Sequence, residues 1–80
     1  MNATEIDAAV KDALHRIAPE ADVGALDAGA DIRETLDIDS FDFLNLLVAL
    51  HERLGVDIPE TDYARVRTFG GLVSYLAAKC

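Results

Sequence analysis

Cysteine and positive charge are scarce in this sequence, and both shortages are informative. Cys80 is the only cysteine among 80 residues, so no intrachain disulfide and no thiolate metal cluster can form, and no metal site is expected. A reducing cytoplasm is the expected setting, with Cys80 itself read as an exposed terminal residue rather than a nucleophile. Seven Lys and Arg face fifteen Asp and Glu, giving a net charge of −8. Nucleic-acid phosphates and anionic lipid surfaces select for clustered cations. Neither is an expected partner; a basic protein surface is. No basic segment followed by an apolar one opens the chain, so no signal peptide is expected. The longest nearly apolar run, Phe41 to Leu50, contains Asp42 and Asn45 and is far too short to span a bilayer. Glycine-rich phosphate loops of Walker or Rossmann spacing are also missing, as are internal repeats and low-complexity tracts.

What is present is a globular composition, 51% apolar against 28% charged. A single domain over residues 1–80 is expected, because each half alone would fall below the size at which a core holds without disulfides or metals.

Helical periodicity dominates. Ile6, Ala9, Val10, Ala13, Leu14 and Ile17 recur on one helical face, with Thr4 and Asp7 placed as a capping pair before them and Pro19 as the stop. Between Ala18 and Asp39 no period survives. Val23, Leu26, Ile32, Leu36 and Ile38 are scattered there as anchors, so a long loop pinned onto the core is expected. A second helix runs from near Ser40 to Leu54, with Gly55 as its C-terminal stop. Phe43, Leu46, Leu47, Leu50 and Leu54 form its apolar face, which Phe41, Leu44 and Val48 widen. Asp42, Asn45, Ala49, Glu52 and Arg53 are left as a narrow polar stripe. That distribution predicts a central helix packed by several neighbours. Pro59 leads into a short helical turn from Thr61 to Arg65. Thr68 is placed to cap a last helix whose inward face is Phe69, Leu72, Val73 and Leu76. No segment alternates as a strand. The expected fold is all-α, a four-helix bundle of three main helices with a short one before the last.

The charge is unevenly distributed. Glu20, Asp22, Asp27, Asp31, Glu34, Asp37, Asp39 and Asp42 are opposed only by Arg33, so this stretch carries −7 of the total −8. Charge concentrated at the entrance to the core helix favours an interaction surface over a merely solvated one.

Unaided chemistry finds no support. His15 falls on the polar side of the first helix. His51 lies eleven residues beyond Ser40, about 16 Å along a helix axis, and is out of reach as its general base. A calcium loop starting at Asp37 would require glycine and glutamate where Asp42 and Val48 stand. The chain is not expected to be an enzyme.

One motif remains. Asp39-Ser40-Phe41, preceded by Leu36-Asp37-Ile38 and followed by Asp42-Phe43-Leu44, resembles the 4′-phosphopantetheine attachment site of acyl carrier proteins. The resemblance continues from Val48 through Ile58-Pro59, then at Thr68 and Tyr75-Leu76. It implies a freestanding, monomeric acyl carrier of lipid or fatty-acid metabolism. Ser40, flanked by Asp39 and Phe41, would bear a 4′-phosphopantetheine arm transferred from coenzyme A by a phosphopantetheinyl transferase. The arm's thiol would hold acyl groups as thioesters for acyl-activating or acyl-transferring enzymes. Asp39, Asp42, Asn45 and Glu52 would face basic docking patches on those partners. Leu46, Val48, Ala49 and Val66 would line a shelter for the acyl chain. A helix start favours a phosphodiester at Ser40, although serine is also an ordinary N-cap there. Phe41 stands where the family usually has Leu, and Asn45 and His51 where Glu is common; this thinned acidic face implies a dedicated partner. The glycine pair of peptidyl carriers is missing before Ser40, which favours acyl cargo. An aminoacyl or polyketide-type carrier, and a helical interaction module without a prosthetic group, are the alternatives.

Overall fold

A computed structural model describes residues 2–79. Helix α1 (Ala3–Ile17) buries Ile6, Ala9, Val10, Ala13 and Leu14. Its cap is Asn2 rather than Thr4: Asn2 Oδ1 accepts from the Glu5 N–H at 2.9 Å. Asparagine caps as well as threonine, and starting there places Glu5 in the first turn, where the helix dipole favours an acid. Ala18, restricted by the following Pro19, ends the helix in a non-helical conformation.

The stretch from Ala18 to Asp39 is more regular than its pattern predicts. It holds a 3-10 turn (Val23–Ala25) and a short helix α2 (Ile32–Leu36). The expected anchors do pin it: Leu26 and Ile32 are buried, and Val23, Leu36 and Ile38 pack against the core. Asp31 caps α2, accepting from the Glu34 N–H at 3.1 Å. Asp37 closes it in the left-handed region at φ 54°.

Helix α3 (Ser40–Leu54) ends on Gly55 at φ 72°, a left-handed C-terminal stop. Phe43, Leu46, Leu47 and Leu50 are buried, but Phe41, Leu44 and Val48 are 69%, 42% and 55% exposed. The helix is therefore not enclosed as its composition predicts; one flank of apolar residues faces outward.

After α3, Val56 and Ile58 are buried, and a 3-10 helix (Glu60–Val66) leads to α4 (Phe69–Lys79). Thr68 caps α4 as expected, with Oγ1 accepting from the Gly71 N–H at 3.0 Å. Phe69, Leu72, Tyr75 and Leu76 are its buried face, and Val73 is half-buried. Helix α1 packs on both α3 and α4, and α4 on the 3-10 helix. The loop is tied to the start of α4 by backbone hydrogen bonds. Ile32 N–H donates to Arg67 O and Phe69 N–H to Ala30 O, each at 3.0 Å. Apart from the single bridge pair Asp31–Thr68, no strand occurs among the described residues. Nor is any described helix long and apolar enough to cross a membrane.

Candidate functional site

Asp39 and Ser40 stand at the junction where the acidic loop enters α3. Asp39 is the N-cap: its Oδ1 accepts from the Asp42 N–H at 2.9 Å. Ser40 is the first residue of the helix. Its hydroxyl is thus spared the capping role that a serine at a helix start usually fills. Ser40 is exposed, and among the described residues its hydroxyl forms no hydrogen bond.

A helix turns about 100° per residue, which sorts the other candidates. Taking Ser40 as the origin, Phe41, Asn45, Val48 and Glu52 fall near 100°, 140°, 80° and 120°, on one outward strip. All four are exposed. Asp42 lies on the far flank beside Ala49 and Arg53, half-buried. Arg53 is paired with Asp12 of α1, and its guanidinium holds the Asp12 carboxyl below the usual carboxylate range. The polar stripe expected on α3 therefore divides. Asn45 and Glu52 join the exposed apolar residues, whereas Arg53 belongs to the contact between α1 and α3. Along the axis the strip is long: Glu52 is about 18 Å from Ser40.

Ser40 also borders an open cleft of about 330 Å³, lined by Arg33, Phe43, Leu44, Tyr63, Ala64 and Arg67. Leu44 and Tyr63 separate it from a smaller hollow of about 170 Å³ that reaches Leu47, Val48, His51, Asp57 and Ile58. The residues expected to line an acyl shelter do not converge. Leu46 and Val66 are wholly buried in the core. Ala49 opens toward Asp12 and Arg53, and Val48 alone borders the hollow. The cleft and the smaller hollow both lie on the Ser40 side of α3, whereas Ala49 borders a separate opening on the side of α1. Tyr63, Ala64 and Arg67 carry no period or motif that marks them. Ser40, Phe43 and Leu44 stand out in the sequence through the motif and the helical period, and Arg33 through its isolated positive charge.

Arg67 reaches Asp31 at 3.0 Å. The Asp31 carboxyl lies below its ordinary range, chiefly through the hydrogen bond from the Glu34 backbone and further through Arg67. His15 and His51 are exposed, and His51 Nδ1 lies 3.2 Å from Val56 O. Among the described residues no cluster of three or more His, Cys, Asp or Glu is placed to hold a metal. Cys80 lies outside the described residues.

An exposed hydroxyl, free of the cap and set at a helix N-terminus beside a partly cationic cleft, suits a phosphodiester-linked group. Residues 5–76 match the family described as phosphopantetheine attachment site. The chain belongs to that family. Its similar relatives include an acyl carrier protein of Renibacterium salmoninarum, 34% identical over 62 residues that cover 78% of this chain and 72% of the relative. An acyl carrier protein of Lactobacillus acidophilus is 28% identical over 57 residues, 71% of each chain. A meromycolate extension acyl carrier protein of Mycolicibacterium aurum is 40% identical over 43 residues, 54% of this chain and 44% of the relative. The protein is a carrier and not an enzyme, and its cofactor is a covalently attached 4′-phosphopantetheine. When bound, that group supplies a thiol at the end of a flexible arm.

Proposed function

We propose that residues 1–80 act as one acyl carrier unit whose arm is attached to Ser40. One observation carries the assignment: Asp39 takes the cap and leaves the Ser40 hydroxyl exposed and unbonded at the first turn of α3. A phosphopantetheinyl transferase would join that oxygen to the pantetheine-bearing phosphorus of coenzyme A, breaking the phosphoanhydride and releasing adenosine 3′,5′-bisphosphate and the hydroxyl proton. Acyl-activating or acyl-transferring enzymes would then load and unload the thiol. Asp39 and Asp42 add negative charge at the attachment point for basic patches on those enzymes. Phe41, Asn45, Val48 and Glu52 continue the contact along α3. Complementary charge sets encounter rate and discrimination, while exposed apolar residues of this kind mark protein contacts.

The sequence has only two serines, Ser40 and Ser74. Incubation with coenzyme A and a broad-specificity transferase should add one phosphopantetheine to the natural protein and nothing to Ser40→Ala, whose helical circular dichroism should be unchanged. A mass gain persisting in Ser40→Ala would place the arm elsewhere.

A further inference from the structure

The cleft beside Ser40 has a cationic mouth and an apolar wall. Arg33, on α2, and Arg67, just before α4, both line it together with Ser40. The hydrogen bond from Ile32 N–H to Arg67 O holds the two segments side by side. Asp31 occupies Arg67 only in part, since that side chain remains 63% exposed. Among the described residues Arg33 makes no ion pair, although Asp31, Glu34 and Asp37 border the groove on its other side. An anion on Ser40 would lie between Asp39 and Asp42 in the most acidic stretch of the chain, where Arg33 is the one basic residue between positions 20 and 42. Two guanidiniums bordering the same opening offset that repulsion.

We propose that Arg33 and Arg67 clamp the phosphodiester at Ser40 and so lay the arm along Phe43, Leu44, Tyr63 and Ala64. This rests on the reading that Ser40 bears the arm. The non-bridging oxygens of a phosphodiester lie within two bonds of Ser40 Oγ, at the mouth of this cleft. Guanidinium suits them because its planar donors can engage two oxygens at once. With its anionic end held, the apolar part of the arm that follows meets the wall formed by Leu44, Tyr63 and Ala64. The arm is then folded against the protein between partner encounters instead of trailing in solvent.

The test uses isotope-labelled holo-protein made with coenzyme A and a transferase, its loading on Ser40 verified by mass. Nuclear Overhauser contacts between the arm's geminal methyls and the Tyr63 ring and Ala64 methyl are expected at low salt. They should weaken near 1 M salt, where screening reaches about 3 Å. The pair Arg33→Gln and Arg67→Gln should lose them, and Arg33→Lys should retain part. Asp31→Asn separates clamping from a structural role, because it keeps the α2 cap while freeing Arg67. The clamp predicts contacts kept or strengthened in that variant, whereas a purely structural Asp31–Arg67 pair predicts their loss. Contacts that survive in the double glutamine variant would overturn the clamp. So would their absence from the loaded natural protein. If Ser40 gained no mass at all, the carrier reading itself would fail along with the clamp.

Discussion

Asp39 and Ser40 divide two tasks that a single serine at a helix start could combine. The carboxylate satisfies the backbone and the hydroxyl stays available for chemistry. A similar division governs Gly70 and Gly71, which weaken the first turn of α4 by about 1 kcal/mol each relative to alanine. A Cβ on Gly71 would meet the Arg65 carbonyl oxygen, and one on Gly70 would lie 2.8 Å from Ala28 O. These glycines let the 3-10 helix and the acidic loop close on α4. Gly71→Ala should therefore destabilise the protein despite its better helix propensity, by about 1–3 kcal/mol as for other overpacked sites. Gly29, whose added Cβ would meet nothing within 4 Å, makes the contrast. Gly29→Ala should be neutral or stabilising by up to about 1 kcal/mol. Urea titration of the two variants checks both signs, and a stabilised Gly71→Ala would contradict the close approach.

Among the elements, α2 shows most clearly how cap and charge act together. Asp31 caps it and also pairs with Arg67, so its carboxyl is more acidic in the folded chain than in the unfolded one. A lowered folded value means that the stabilisation is complete above the ordinary carboxylate range and is lost as pH falls through the lowered value. Asp31→Asn keeps the cap but loses the proton linkage. Natural protein should thus be the more stable at pH 6, and the gap should close as pH falls below about 4, as followed by thermal melts. The gap itself should be small, since the pair is only partly shielded from solvent. A gap independent of pH would remove the carboxylate from the account. Helices α1, α3 and α4 were legible in the sequence because each spans at least three turns, long enough for a period to show. Five residues of α2 are not, and only the Asp31-x-x-Glu34 spacing marks its start. The exposure of Phe41, Leu44 and Val48 was hidden for another reason. Composition around a helix cannot reveal how many neighbours arrive to cover it. Ser40 stands out through its motif, but the cleft beside it joins residues from three separate segments, whose proximity leaves no local trace.

At the scale of the whole molecule, acidity and exposed apolar surface meet at one end of α3. The remainder of the chain is nearly neutral, because −7 of the −8 lies between Glu20 and Asp42. On the proposed reading, a partner with a basic patch would be drawn to Ser40 from a distance and would then meet Phe41 and Val48 at contact range. The strip itself is only thinly acidic, with Asn45 uncharged, His51 to one side and Glu52 far along the axis. Arg53, though it adds positive charge to α3, is engaged by Asp12. Reversing its charge would disturb the contact between α1 and α3 and is a poor probe of docking. Asn45→Glu with His51→Glu is the better pair, since both residues are exposed; a thermal melt controls for the His51–Val56 contact. Acyl loading by a generic bacterial fatty-acid system should speed up in this variant, most at low salt, where screening is weakest. Phe41→Ala with Val48→Ala should slow loading at every salt concentration and leave stability within about 0.5 kcal/mol, as for other surface changes. Charge would then govern the approach and the apolar pair the dwell time, in keeping with the separate control of association and dissociation rates. Equal loading of the natural protein and both variants would remove this strip of α3 from partner recognition.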